Sequence, residues 1–221
     1  MSKITDIWNS ESERDWINAL EHYWVYVRPE NIELERNLNE LKLEKIAALD
    51  EFGWFKFLHD KYFRWKYTAP NRYATTTKYL CQYRDFEQLD KLLDIKKRLL
   101  NIDAIDIKLG LSTAMEIKGL GIAGASGLLS LMYPVIYGTV DQFLVKALKN
   151  IQGLPESDLF ELQKIKLIKT KKPDDEIYDI KLKNGIFLID IMSRKAKSNN
   201  EIFRTNVWTP RKIDMILWST R

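Results

Sequence analysis

Apolar residues recur at helical spacing along most of the chain. Trp16, Leu20, Tyr23, Trp24 and Val27 fall on an i, i+4, i+7, i+8, i+11 stripe, which predicts an amphipathic helix that Pro29 interrupts. A second, highly charged helix is expected over residues 31–49, with Leu34, Leu38, Leu41 and Ile46 turned inward. The aromatic-rich segment EFGWFKFLHDKYFRWKYTAPNRY comes next. It breaks at Pro70 and Asn71, and a helix restarts through RYATTTKYLCQY. Residues 86–100 read as a further helix, with Leu89, Leu92, Leu93 and Leu99 apolar and Lys96-Lys97-Arg98 on its exposed side. Strand-like patterning is confined to KLIKT and IYDIKLKNGIFLIDI. The latter admits a hairpin at Asn184-Gly185, or a helix from Asn184 that places Ile186, Ile189, Met192 and Ala196 on one face. The helix is the favoured reading. GLPESDLFELQKIKLIKTKKPDDE reads as a loop-rich connection, and Thr209-Pro210 marks the start of a last helix through RKIDMILW. The expected class is all-α.

Composition narrows the chemistry. At 221 residues with 12% aromatics the chain can bury a full core. It has no run of eighteen apolar residues, and its N-terminal stretch is polar and lacks an apolar signal core. A cytoplasmic protein without a membrane partner is therefore expected. Cys81 stands alone, which excludes an internal disulfide, a multi-cysteine zinc site and a four-cysteine iron–sulfur cluster. His22 and His59 supply little for metal or nucleophile chemistry, and both read as ordinary core or surface residues. A net charge of +4 and a pI near 8.9 permit a nucleic-acid partner without requiring one.

The densest local signal is KGLGIAGASGLL, residues 118–129, where Gly119, Gly121 and Gly124 spell G-x-G-x-x-G. A dinucleotide-binding fingerprint must leave a buried strand within a βαβ unit. The preceding IKLGLSTAMEIK carries Ser112, Thr113, Glu116 and Lys118 at positions that would interrupt such a strand, and no alternating βα pattern surrounds it. The alternative is a hairpin of two short helices over 109–132. The first helix covers Leu109 to Glu116, the turn is Lys118-Gly119-Leu120-Gly121, and the second helix covers Ile122 to Met132. Gly119 and Gly121 would supply backbone angles closed to other residues, and Leu120 would plug the space between the helices. Gly124, Ala125 and Gly127 would allow close packing, with Ala125, Leu128, Leu129 and Met132 as the inner stripe. Amides at the start of the second helix would then hold a phosphate oxygen, a contact that grips a backbone without reading sequence.

The stretch IKGLGIAGASGLLSLMYPVIYGTVDQFLVKAL resembles the central segment of the helix-hairpin-helix DNA glycosylase superfamily, which includes endonuclease III, MutY-type adenine glycosylases and alkyl-base glycosylases. Ile117, Gly119, Leu120, Gly121 and Ala125 match the family's hairpin, and Val140, Asp141 and Leu144 match its spacing for the segment with the catalytic aspartate. The resemblance covers about 108–150 as motif and about 52–220 as helical layout, and it leaves 1–50 without a recognisable motif. TPRKIDMILW is similar to the terminal helix of some uncharacterised relatives.

The resemblance implies an endonuclease III-like arrangement of two helical lobes over 51–221, with residues 1–50 as an N-terminal helical extension or cap. It implies double-stranded DNA as partner, gripped by Lys118, Gly119, Leu120, Gly121, Ile122, Ala123 and Gly124, and Asp141 as the catalytic carboxylate. It also implies a monovalent cation, Na+ or K+, on the carbonyls of Met115, Ile117 and Leu120. Lys118 replaces the usual hairpin proline. Ala123 stands where lyase-active members carry lysine, so a monofunctional glycosylase without lyase activity is implied, and the single cysteine leaves no place for the family's iron–sulfur loop.

Breaking a base–sugar bond builds positive charge on the sugar, which a carboxylate beneath the ring stabilises. Asp141 equally suits an ordinary helix start, with Thr139 and Gln142 as a capping box. Base flipping needs an aromatic pocket, for which Trp65, Tyr67 and Tyr73 could stack on the base while Arg64, Lys66 and Arg72 hold phosphates. Phe55, Tyr62 and Phe63 read as core instead. Lys96-Lys97-Arg98, Lys169/Lys171/Lys172, Arg194-Lys195, Lys197 and Arg211-Lys212 read as solvated faces. The expectation is a monomeric base-excision DNA glycosylase. Two alternatives stay open: a non-catalytic helix-hairpin-helix DNA-binding protein, and an interaction protein whose glycines serve packing alone.

Overall fold

The computed structural model describes residues 3–103, 105–168 and 177–220. Its helices run in chain order as α1 (Lys3–Trp8), α2 (Glu13–Tyr26), α3 (Ile32–Asn39), α4 (Leu43–Ala47), α5 (Glu51–Lys56), α6 (Phe63–Lys66), α7 (Pro70–Asp85), α8 (Leu89–Asn101), α9 (Ile107–Met115), α10 (Ile122–Met132), α11 (Gln142–Lys149), α12 (Glu156–Gln163), α13 (Leu182–Phe203) and α14 (Pro210–Trp218). A two-residue antiparallel pair, β1 (Leu167–Ile168) with β2 (Ile177–Tyr178), is the sheet seen among the described residues. Its register is Leu167 opposite Tyr178 and Ile168 opposite Ile177. The protein is all-α in class, with 71% of the structure helical.

The chain divides into two compact units. One is contiguous, Val27–Tyr133, and the other joins Met1–Tyr26 to Pro134–Arg221. Residues 1–50 therefore contribute to both. In the contiguous unit, the aromatic segment does not stay α-helical throughout. Between α5 and α6 the backbone widens into a π-helical stretch, Phe57–Tyr62, which turns Phe57, Leu58 and Tyr62 inward together. Phe55, Tyr62 and Phe63 are buried core, as their spacing suggested. The charged helix expected over 31–49 is two helices. Asn39 bonds back to the Glu35 carbonyl and Leu41 N–H closes onto Leu38, ending α3, and a new helix begins at Leu43. Lys96 is not on a solvated face. Its ammonium is buried and donates to the carbonyls of Ile46, Ala47 and Leu49, where it caps the end of α4.

In the discontinuous unit, Trp16, Ala19 and Tyr23 form the buried stripe of α2. Trp16 meets Trp8 and Trp208, while Tyr23 meets Trp218. A fully buried tryptophan is worth several times the ~0.8 kcal/mol of a single buried methylene, so this cluster anchors the N-terminal helices. Asn184 and Gly185 lie inside α13, not in a hairpin, with the Asn184 side chain accepting the Lys181 N–H at 2.9 Å. Part of the expected loop 153–176 is helical, because Pro155 stands at the cap, Glu156 and Asp158 occupy the first turn and Leu162 is buried. Thr209 caps α14 as expected, accepting the Lys212 N–H at 3.3 Å with Pro210 behind it. No helix among the described residues is long and apolar enough to cross a membrane.

Candidate functional site

α9 and α10 pack against one another and are joined by a tight turn, and α10 has the bounds expected for it. Gly119 carries the turn, at φ +94°. A β-carbon there would lie 2.6 Å from the Thr76 carbonyl oxygen, so glycine is required twice, by angle and by space. Gly121 differs from expectation. Its backbone is extended, φ −91° and ψ −170°, and a β-carbon would meet nothing within 4 Å. Leu120 is buried as the plug. At Gly124 a β-carbon would lie 2.6 Å from the Tyr67 hydroxyl, and at Gly127 2.9 Å from that of Tyr62, so both are close-packing residues. Tyr62 donates to the Gly124 carbonyl and Tyr67 to the Gly119 carbonyl at 3.1 Å, which pins the turn to the aromatic segment.

An open hollow of about 510 Å³ lies over this turn. Gly121, Ile122, Ala123 and Gly124 form one wall, and Tyr67, Asn71, Arg72, Thr75 and Thr76 form the other. The first intrahelical bond of α10 runs from Ala125 N–H to the Gly121 carbonyl, at 2.8 Å, so the amides of Ile122, Ala123 and Gly124 precede the helical ladder. No side chain caps α10 at Gly121. α7 begins at the same hollow, but its first turn offers little to a ligand, since Pro70 has no N–H and the Arg72 N–H is accepted by Asn71 Oδ1 at 2.9 Å. The free amides at the start of α10 and the exposed guanidinium of Arg72 therefore share one concavity, which is suited to an anion. The hydroxyls of Thr75 and Thr76 are turned back onto the carbonyls of Asn71 and Arg72, at 2.9 and 2.8 Å. Burial pushes the Tyr67 hydroxyl up to about 12 against the pull of Arg72, so the phenol stays a neutral donor.

The residues expected to grip or stack on DNA are only partly gathered. Tyr67 and Arg72 share the hollow with the α10 amides. Trp65 is placed elsewhere, its indole N–H on the Glu35 carboxylate, and Tyr73 reaches the His59 carbonyl at 3.4 Å. Lys118 lines a different hollow with Arg98 and Glu116, its ammonium 5.0 Å from the Tyr83 ring and its N–H on the Tyr83 hydroxyl. Ile117 accepts the Leu120 N–H at 3.0 Å, which leaves its carbonyl one lone pair toward any cation shared with Met115 and Leu120. Among the described residues no three His, Cys, Asp or Glu side chains gather as metal ligands. What sequence reasoning placed two residues late is the start of α7. Its signal was legible, since Pro70 opens a helix at its first position and Arg72 comes directly after Asn71.

In the discontinuous unit, Asp141 is half-buried and is itself the N-cap of α11. Its Oδ1 accepts the N–H groups of Phe143 and Leu144 at 2.9 and 3.1 Å. The Thr139/Gln142 capping box does not form, because the helix starts two residues later and the Thr139 N–H donates to Asp214 at 2.8 Å. Arg211 is buried, not solvated. It pairs with Asp214 at 2.9 Å and reaches the Thr139 hydroxyl at 3.5 Å. Burial pushes the Asp214 carboxyl up, Arg211 and the Thr139 amide draw it down, and the Asp141 charge adds a smaller upward push. Arg194 pairs with Asp158 and Asp190, Lys195 lies over Trp8 and Trp16, and Lys212 lies over Trp208. Lys169, Lys171 and Lys172 fall outside the described residues. No family model matches the chain, and no curated protein or solved structure matches it.

Proposed function

We propose that this protein binds duplex DNA and hydrolyses the N-glycosidic bond of a damaged, modified or mismatched base, acting as a cytoplasmic monomer. The observation that carries the reading is the hollow over the glycine turn, where the uncapped start of α10 and Arg72 converge. A backbone phosphate fits that chemistry, and the turn that builds it is where the chain resembles helix-hairpin-helix glycosylases. In the proposed reaction the base leaves with the bonding electrons as positive charge grows on the sugar. A water then adds to the sugar carbon and gives a proton to the Asp141 carboxylate, which passes it on to the departed base, leaving an abasic site and the free base. Asp141 supplies the carboxylate, held in place by the two amide bonds to its Oδ1. Ala123 cannot form a Schiff base, so the strand is not nicked by the protein itself.

Two observations favour the second reading, a DNA-binding protein without catalysis. Asp141 already has a complete structural duty as a helix cap, and Trp65 and Tyr73 are held away from Tyr67 and Arg72. A single experiment separates the readings. Wild type, Asp141→Asn and Gly121→Asp are incubated with duplexes carrying a panel of lesions, and the products are treated with alkali. Asparagine caps a helix as well as aspartate does, so Asp141→Asn keeps its fold, and the expected result is alkali-labile cleavage by wild type alone of these two. Gly121→Asp places a carboxylate at the uncapped start of α10. It is expected to fold normally and to bind DNA at least about tenfold more weakly at low salt. Binding without cleavage by wild type selects the second reading, and undiminished binding by Gly121→Asp overturns the phosphate grip.

A further inference from the structure

The segment that delivers Asp141 to the head of α11 is strapped down along its length. The Arg211 N–H donates to the Pro134 carbonyl at 3.4 Å. A β-carbon at Gly138 would lie 2.7 Å from Met192 and from the Pro210 carbonyl, so the chain passes there in direct contact with α13 and the start of α14. Val140 is fully buried. Between these points the Asp214 carboxylate accepts the Thr139 N–H, and Arg211 bridges that same carboxylate and the Thr139 hydroxyl.

We propose that the buried Arg211–Asp214 pair is a positioning device for Asp141, fixing the backbone two residues upstream so that the carboxylate is presented in one orientation. This rests on the reading of Asp141 as the reacting group. An apolar pair of similar volume would forgo little from the ion pair itself, because two desolvated charges return little net free energy, but it would orphan the buried Thr139 N–H. What leucine and methionine would not do is accept the Thr139 N–H and tether its hydroxyl. The charged pair therefore contributes direction: one bond on the main chain and one on the side chain of Thr139 suppress rotation of the strap that ends in Asp141. Asp141 itself adopts φ −146° and ψ −177°, the extended conformation usual at a helix N-cap, so its backbone continues the strap rather than the helix. Neither Arg211 nor Asp214 touches a reacting atom. Both act through Thr139.

The test uses two double variants of the full chain. Arg211→Met with Asp214→Leu removes the strap without leaving a lone buried charge. Arg211→Met with Asp214→Asn removes the charges but restores an acceptor for the Thr139 N–H. Exchange of the Phe143 and Leu144 amides, both bonded to Asp141, reports orientation without any need for activity. In the first variant these two amides are expected to exchange at least about tenfold faster while the buried amides of α13 keep their protection. Its kcat for base removal is expected to fall about tenfold or more at unchanged DNA Kd. The second variant is expected to recover most of both losses. Wild-type exchange at Phe143 and Leu144 in the first variant overturns the proposal. So does absence of rescue, or loss of all helical signal in both variants, which would make the pair a general stability element. Should the wild type remove no base from any duplex, the catalytic reading falls while the amide measurement still decides the strap.

Discussion

A β-carbon at position 119 has nowhere to go. It would need a left-handed backbone and would press on the main chain of α7, where no rotamer change can relieve it. Gly119→Ala is expected to lower stability by ~2 kcal/mol or more. Gly121→Ala, two residues on, is expected to cost under about 1 kcal/mol, because alanine is only a slightly poorer cap and meets open space. Urea unfolding of the two variants side by side measures the contrast. The glycine spacing in the sequence marks a turn correctly, yet it does not say which glycine the turn depends on, since φ is decided by how the chain leaves the turn. Charges show a similar gap. Lys96 and Arg211 look like solvated cations because the sequence displays their charge but not the carbonyls of α4 or the carboxylate and hydroxyl that surround them after folding.

Elements that carry their own instructions were legible. α10 has small residues where neighbours press and apolar residues on its inner stripe, and α14 has threonine and proline at its head. Elements whose ends are set by distant partners were not: α3 and α4 look like one helix until Lys96 caps α4, and α12 hides in a polar stretch until Arg194 claims Asp158. The junction of α8 with the end of α9 makes a prediction of this kind. Arg98 on α8 binds both oxygens of Glu116, the residue after α9, and also Asp94. Hydrogen bonding to Arg98 holds the Glu116 carboxyl below its ordinary value of 4.5, against a partial opposing effect of burial. A depressed folded-state value means the pair contributes fully above about pH 4.5, and its contribution is lost as pH falls through the lower folded value. Both side chains are substantially exposed, so the effect stays under ~1 kcal/mol. Glu116→Gln is expected to flatten the acid limb of a stability-versus-pH curve by that amount and to leave the curve above pH 6 about parallel to wild type.

The molecule as a whole is built from one contiguous stretch and one assembled from both ends of the chain. The contiguous stretch holds its own core, including Leu38, Ile46, Trp54, Leu58, Tyr62, Phe63, Leu92, Leu99, Leu111 and Leu128, and it also holds the whole hollow over the glycine turn. Residues 27–133 expressed alone are therefore expected to show helical circular dichroism and a single cooperative urea transition, checked by the coincidence of far-UV and tryptophan-fluorescence curves. A non-cooperative, molten fragment would contradict the division. If the phosphate grip is as proposed, the same fragment retains salt-sensitive binding to DNA without cleaving it, because Asp141 is not part of it. None of this partition was legible in the sequence, where the N-terminal helices read as an appendage to the remainder of the chain. Thr5 bonding to the Asn150 carbonyl and Asn9 to that of Gln152 are the kind of contact that periodicity does not disclose.

The split unit has a consequence for the order of events during synthesis. Residues 1–26 are made well before the segments they fold against, which begin at Pro134 and include α14. The hydroxyl of Thr5 waits 145 positions for its carbonyl. In the interval the middle of the chain can collapse on local contacts, while the first two helices, with Trp8 and Trp16 uncovered, stay in search of partners not yet made. Collapse of the middle shortens the loop that must later close, bringing positions 26 and 134 within the span of one folded body, and so lowers the entropy of the last step. The nascent chain thus carries an exposed tryptophan pair until the segments from Pro134 to α14 are made, and its slowest phase is expected to be the docking of residues 1–26 on them.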